Sequence, residues 1–410
     1  MTADSPIPVI VAFLLAIGTA YLLPGLRLTA SVGRFATLDG LRGYLALSVF
    51  LHHSRFWYFY VRSGVWVTPE SALYTHLGQS SVILFFMITG FLFFTKILNA
   101  RARQMDWGRL FVSRVLRLAP LYALAMLLLF GIVVVMSHWQ LRSPPVTLAK
   151  GAFRWLTFTM VGSPDLNGVP DTKLIIAGVT WSLVYEWLFY LSLPLMACAV
   201  GAVPPLAYVA MSGVLLLAIG LVMHWGGVAD LLAGPAGRVF TASFAGGMLA
   251  AVVVRSEWFA RRAEGKVMTG VVLGCVLAGI YLFPAPHSLV SVCLLTLAFT
   301  LIAGGNSILG LLHRKASRVL GEMAYSIYLL HGILLFVLFT FVVGRVRASA
   351  LSANLHWTLI FAATPVLVGL CCLTYRYVEE PGTHSVNRVM GQLRALADSL
   401  VRTRPAPGAR

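Results

Sequence analysis

The chain has 410 residues, of which 59% are hydrophobic and 11% charged. That balance excludes a soluble protein wrapped around one core and puts the chain in a bilayer. A net charge of +17 invites a nucleic-acid reading, but the 31 Lys and Arg residues are spread among the loops between apolar spans, where membrane orientation and anionic head groups account for them.

Apolar stretches of spanning length run over residues 6–23, 39–61, 75–97, 118–137, 174–198, 203–223, 238–254, 267–284, 287–304, 319–344 and 355–378. The first lacks the basic start of a signal peptide and reads as a retained helix. The fold class expected is an all-α polytopic membrane protein, a ten-helix core plus one additional N-terminal transmembrane helix. Residues 146–161 are shorter and carry Lys150 and Arg154, so an interfacial or re-entrant segment is expected there. On one side of the bilayer fall 22 of the 31 cations, Arg27, Arg34, Arg101 and Arg103 among them. The positive-inside rule makes that side cytoplasmic, with the N-terminus outside and the C-terminus inside. The chain divides into an N-terminal helix and linker (1–33), a membrane domain (34–381) and a basic cytoplasmic tail (382–410).

The five cysteines, Cys198, Cys275, Cys293, Cys371 and Cys372, all lie in apolar segments without metal-ligand spacing. They read as small buried hydrophobes, and no metal site or disulfide framework is expected.

Chemistry-bearing residues begin in the stretch Arg34 to His53, which sets Asp39, Arg42, His52 and His53 in an apolar helix, where ionisable groups are costly. Arg42 and His53 are eleven residues apart, so they share one face about 16 Å apart along the axis. His52 points about 100° away. Arg114 and Arg117, spaced by three, occupy neighbouring parts of one helical face at the basic end and can clamp a phosphate. Glu186, in Trp181-Ser182-Leu-Val-Tyr-Glu186, and His331, in Gly321-Glu-Met-Ala-Tyr325-Ser326-Ile-Tyr328-Leu-Leu-His331, each lie about twelve residues into their expected spans. Three helices thus bring polar groups to mid-depth. Phe85 to Phe94 is an aromatic run around Gly90, read as core packing or an acyl-chain groove.

Taken together, the arginine, ten intervening residues and histidine in a Leu-Asp-Gly-Leu-Arg-Gly context, the Arg-x-x-Arg pair, the Trp-Ser-Leu-x-x-Glu segment and the Gly-to-His331 stretch resemble acyltransferase family 3, in order from residue 34 to 381. Ala324 stands where the family has a serine.

The resemblance implies an acyl-CoA-dependent O-acyltransferase moving an acyl group, acetyl foremost, to a hydroxyl of an envelope or extracellular carbohydrate. A bacterial inner-membrane location goes with it. Arg42, Arg114 and Arg117 would hold the CoA phosphates, and His53 would act as general base or carry the acyl group. Glu186 or His331 would orient His53 or bind the acceptor, with Trp181, Ser182, Tyr325 and Ser326 lining the substrate site. Acyl-CoA is a substrate, with no permanently bound cofactor. The partners expected are the acyl-CoA donor, a carbohydrate acceptor and the lipid bilayer, with no nucleic acid and the oligomeric state left open. Two alternatives are acylation of a secondary metabolite such as a macrolide and a proton-coupled transporter, the latter disfavoured by the lack of an evident inverted repeat.

Overall fold

The computed structural model describes residues 2–23, 35–68, 70–100, 105–225 and 234–402. Arg27, Arg34, Arg101 and Arg103 of the cation count, the expected linker and the last eight residues of the expected tail lie outside the described residues.

The helices in order are α1 (Ile7–Leu22), α2 (Ala36–Ser63), α3 (Ala72–Ala100), α4 (Trp107–Met136), α5 (Pro145–Leu156), α6 (Trp181–Ala199), α7 (Leu206–Trp225), α8 (Pro235–Val253) and α9 (Glu257–Ala263). They continue with α10 (Lys266–Leu282), α11 (Leu289–Ala303), α12 (Lys315–Glu322), α13 (Ala324–Val337), α14 (Arg345–Ser349), α15 (Ala353–Thr374), α16 (Glu380–His384) and α17 (Val386–Arg402). Each expected span overlaps at least one helix, two of them with changed bounds. Seven described helices are long and apolar enough to cross a membrane, or eight if α9 and α10, bent by 79°, form one span. The protein is an all-α polytopic membrane protein.

Glycines fix how these helices cross. A Cβ on Gly40 would stand 2.1 Å from the Leu312 carbonyl oxygen, and one on Gly43 2.5 Å from Leu320 Cβ. From the opposite side, a Cβ on Gly321 would lie 1.7 Å from the Asp39 carbonyl oxygen. Only hydrogen fits at these points, so α12 and the Leu311–His313 turn before it seat directly on the first turns of α2 and set the position of Asp39 and Arg42. A second close crossing joins α3 to α8, where Gly90 receives the Phe244 carbonyl and Gly247 the Met87 carbonyl at 2.4 and 2.0 Å from the ideal Cβ positions.

The structure redraws two expected spans. Residues 319–344 are not one helix: the regular helix is interrupted at Met323 (φ −85°, ψ 5°) between α12 and α13, and α13 closes in a π-turn over Leu338–Val342. Residues 174–180 belong to no α-helix. Thr172–Ile176 form a 3-10 turn flanked by left-handed Asp171 and Ala177, and Thr172, Leu174, Ile175 and Ile176 are almost fully buried. Gly332 on α13 makes the room, since a Cβ there would stand 2.4 Å from the Ile176 carbonyl carbon. The chain before α6 therefore dips into the bundle, and α6 starts at Trp181 below the level that apolar periodicity suggests. The preceding α5 is a short helix with Trp155 buried and Phe153 and Leu156 exposed, the amphipathic pattern of an interfacial segment.

Candidate active site

The basic ends of α2, α3 and α4 meet α6 and α13 around a cavity of about 260 Å³. Arg42 from α2, Lys96 from α3, and Arg114 and Arg117 from α4 all line it. Each is placed by its own helix. Arg42 is tethered to Asp39 one turn back at 3.1 Å. Lys96 sits over the Phe93 ring of the preceding turn at 5.1 Å, with the Arg114 guanidinium also 5.1 Å from that ring. Asp106 caps the start of α4 by accepting from the Arg109 amide at 2.8 Å, which starts the register that carries both arginines inward.

Four cations thus face one lining carboxylate, Glu186, which accepts a hydrogen bond from the Tyr190 hydroxyl. The buried Nε of Arg114 has no partner among the described residues. A buried guanidinium nitrogen left open costs free energy unless a ligand oxygen meets it, so the charge balance and the orphan donor both suit an anion such as a phosphate ester. Away from the cations the wall turns apolar and aromatic, through Val82, Phe85, Phe86 and Leu92. It ends in Ser182 and Tyr328, whose hydroxyls are 2.8 Å apart.

Tyr328 stands between this cavity and the histidines: it lines the cavity on one side, and its ring centroid lies 6.2 Å from that of His331. His331 Nδ1 is 3.0 Å from the Ile327 carbonyl, and its Nε2 is 2.9 Å from Nδ1 of His53. A carbonyl only accepts, so Nδ1 of His331 carries the proton and its Nε2, when neutral, is an acceptor. Nδ1 of His53 must then be the donor, which leaves the lone pair of neutral His53 on Nε2. The chain of bonds holds His53 in the tautomer a base at Nε2 needs.

Residues 35–376 match the family model described as an acyltransferase domain. The chain belongs to acyltransferase family 3. It is a membrane acyltransferase, with α1 lying before the matched region. No curated protein and no solved structure matches it.

Within this acyltransferase the expected site residues separate into groups. Arg42, Arg114, Arg117, Glu186, Ser182 and Tyr325 share the cavity, and Tyr325 donates its hydroxyl to the Leu118 carbonyl at 3.1 Å. His53 and His331 pair behind it. Glu186 is not level with the histidines as its expected depth suggested: because α6 begins at Trp181, Glu186 comes only five residues into its helix and meets the arginines instead. Ser326 is fully buried and bonds to Glu379 and Thr374, tying α13 to the end of α15. Trp181 packs on Phe240 at 4.7 Å rather than lining the cavity. His52 is buried against Gly78, with Nδ1 donating to the Tyr74 carbonyl at 2.6 Å.

Sequence reasoning did not single out Lys96, Tyr190 or the site role of Tyr328. Lys96 looked like one more cation at a helix end, although its distance of three residues from Phe93 was a signal. Tyr190, four residues after Glu186, was legible as an i,i+4 partner.

Proposed function

We propose that this acyltransferase moves an acyl group, acetyl foremost, from acyl-CoA to a hydroxyl of an envelope or extracellular carbohydrate. The observation that carries the reading is the bonded series from the Ile327 carbonyl through His331 to His53, beyond a cavity rich in cations. The CoA phosphates are matched by Arg42, Lys96, Arg114 and Arg117, whose guanidinium and ammonium groups make strong charge-assisted bonds to phosphate oxygens. The pantetheine arm follows the apolar wall toward Ser182 and Tyr328, which brings the thioester to the His53 end.

There Nε2 of His53 takes the proton of the acceptor hydroxyl as that oxygen attacks the thioester carbonyl carbon. The resulting imidazolium donates from Nδ1 to His331, which in turn donates to the Ile327 carbonyl, so the positive charge is spread over a preorganised chain of acceptors. When the tetrahedral intermediate collapses, the carbon–sulfur bond breaks and the departing CoA sulfur receives the proton from Nε2. The ester and free CoA result, and His53 returns to its starting tautomer.

Purified protein supplied with labelled acetyl-CoA and an oligosaccharide tests this. Release of CoA that depends on the acceptor, with label in an ester on the glycan and loss of both in His53→Ala, is the expected outcome. Solute movement across a vesicle wall without thioester consumption overturns it in favour of transport.

A further inference from the structure

Past their close crossing at Gly90 and Gly247, α3 and α8 leave a second, smaller cavity of about 170 Å³ at their ends, lined by Phe35, Thr95, Asn99, Ala251, Val254 and Arg255. Thr95 and Asn99 are one turn apart on α3, and Arg255 follows the end of α8, so three hydrogen-bonding side chains converge from two helices. None of the lining residues is acidic.

The bonding state of these groups is unusual. A threonine inside a helix ordinarily returns its hydroxyl proton to the carbonyl four residues back, as Thr241, Thr300 and Thr364 do here. Thr95 Oγ1 is buried and has no partner among the described residues. One Arg255 nitrogen donates to the Asn99 side-chain oxygen at 2.6 Å, which identifies that atom as the acceptor and leaves the amide's two N–H donors for a ligand. The remaining guanidinium N–H groups, the Asn99 amide and the Thr95 hydroxyl leave the cavity supplied with donors and one positive charge, while the Asn99 oxygen is already engaged by Arg255.

We propose that this cavity is a second anion site that takes a single phosphate ester group, bonded by Arg255, Asn99 and Thr95 and separate from the cavity lined by Arg114 and Arg117. Its size sets the class of ligand: it is smaller than the roughly 300 Å³ and above of pockets that engulf whole small molecules, so it receives a head group whose remainder lies outside. The apolar Phe35, Ala251 and Val254 suit the carbon flanking the ester. That phosphate comes either from a membrane lipid or from a soluble phosphate ester.

Native mass spectrometry of the delipidated full-length protein in detergent tests the site without reference to activity. The probes are phosphatidylglycerol, diacylglycerol as its counterpart without phosphate, and inorganic phosphate as competitor. The expected result is one retained phosphatidylglycerol and no retained diacylglycerol. Arg255→Gln should weaken retention by about tenfold or more, as removal of a hydrogen bond to a charged group does, and Thr95→Val by a smaller factor. Displacement by inorganic phosphate together with poor lipid retention assigns the site to soluble esters and keeps the phosphate chemistry. Arg261→Gln, removing a nearby exposed cation paired with Glu257, should change nothing. Equal binding by wild type and Arg255→Gln, or an equal loss in Arg261→Gln, overturns the proposal.

Discussion

Nδ1 of His53 and Nε2 of His331 lie 2.9 Å apart, with their rings stacked at 5.0 Å, although 278 residues separate them in the chain. The Ile327 carbonyl fixes the direction of the bond. His53→Ala should therefore cost roughly 10² to 10⁴ in transfer rate. His331→Phe, which keeps a ring but loses the acceptor, should cost less and leave the apparent affinity for acyl-CoA near its original value. His52→Ala should lower the thermal unfolding temperature through the lost bond to Tyr74 while the folded fraction keeps its rate. If the His52 variant is the inactive one and the His53 variant merely unstable, the assignment of the base is wrong.

A different signature is expected at the basic cavity. Lys96→Ala, Arg114→Ala and Arg117→Ala remove groups remote from a thioester held near Tyr328, so they should raise KM for acyl-CoA far more than they lower kcat. Saturation curves in detergent decide this. An unchanged KM with a depressed plateau would indicate that these residues support the chemical step or the fold instead.

The division between these two sets explains what the sequence could and could not tell. Helix positions, the Arg114 and Arg117 pair and the Arg42-to-His53 face follow from local periodicity, which needs no knowledge of neighbours. The pairing of His53 with His331, the descent of Glu186 to the arginines and the turning of Ser326 toward Glu379 depend on how α6, α13 and α15 are set against one another. Those settings come from glycines such as Gly332, which accepts the backbone of Ile176, and a glycine in an apolar run does not announce its partner.

The crossing of α12 over α2 gives a test of stability. Gly321→Ala and Gly40→Ala each put a methyl group against backbone, and overpacking of this kind costs about 1–3 kcal/mol or more. Unfolding in detergent should shift down for both. Gly18→Ala and Gly131→Ala, at helical positions where a Cβ meets nothing within 4 Å, serve as comparisons and should leave the transition in place or raise it slightly. Equal behaviour of the two pairs would show that the crossing is not tight in the folded protein.

Glu322 supplies a pH dependence. It ends α12, before the apolar helix of spanning length Ala324–Val342, and one of its carboxyl oxygens is buried without a partner among the described residues. Burial pushes its pKa up from 4.5 to about 7, opposed by Arg318 and assisted by Asp39 and Glu380. The folded state then holds a proton the unfolded chain has released, so this group's contribution to stability is present below about pH 4.5 and is lost as pH rises through about 7. Glu322→Gln, neutral throughout, should unfold with a weaker decline in stability between those values than the original protein. Parallel declines in the two proteins would refute the effect of burial on this carboxyl group.

The two ends of α2 suggest that donor and acceptor arrive from opposite sides of the membrane. Arg42 is six residues from the start of the helix, within the cationic cavity. His53 lies seventeen residues from that start and ten from the end at Ser63, about 25 Å and 15 Å along the axis. It is therefore nearer the opposite end, and its ring stacks at 6.1 Å on Trp66, in the connection that follows α2. A donor anchored by phosphates at the basic end and extended along the apolar wall would present its thioester from one side of His53, leaving the Trp66 side for a sugar hydroxyl. Sealed proteoliposomes of a single orientation separate the possibilities, with acyl-CoA supplied only at the basic face and a membrane-impermeant glycan placed on either face. Acylation only of glycan on the opposite face is the expected result. Ester formed solely when both substrates share the basic face would mean that one mouth admits both, as an enzyme modifying a cytoplasmic metabolite requires.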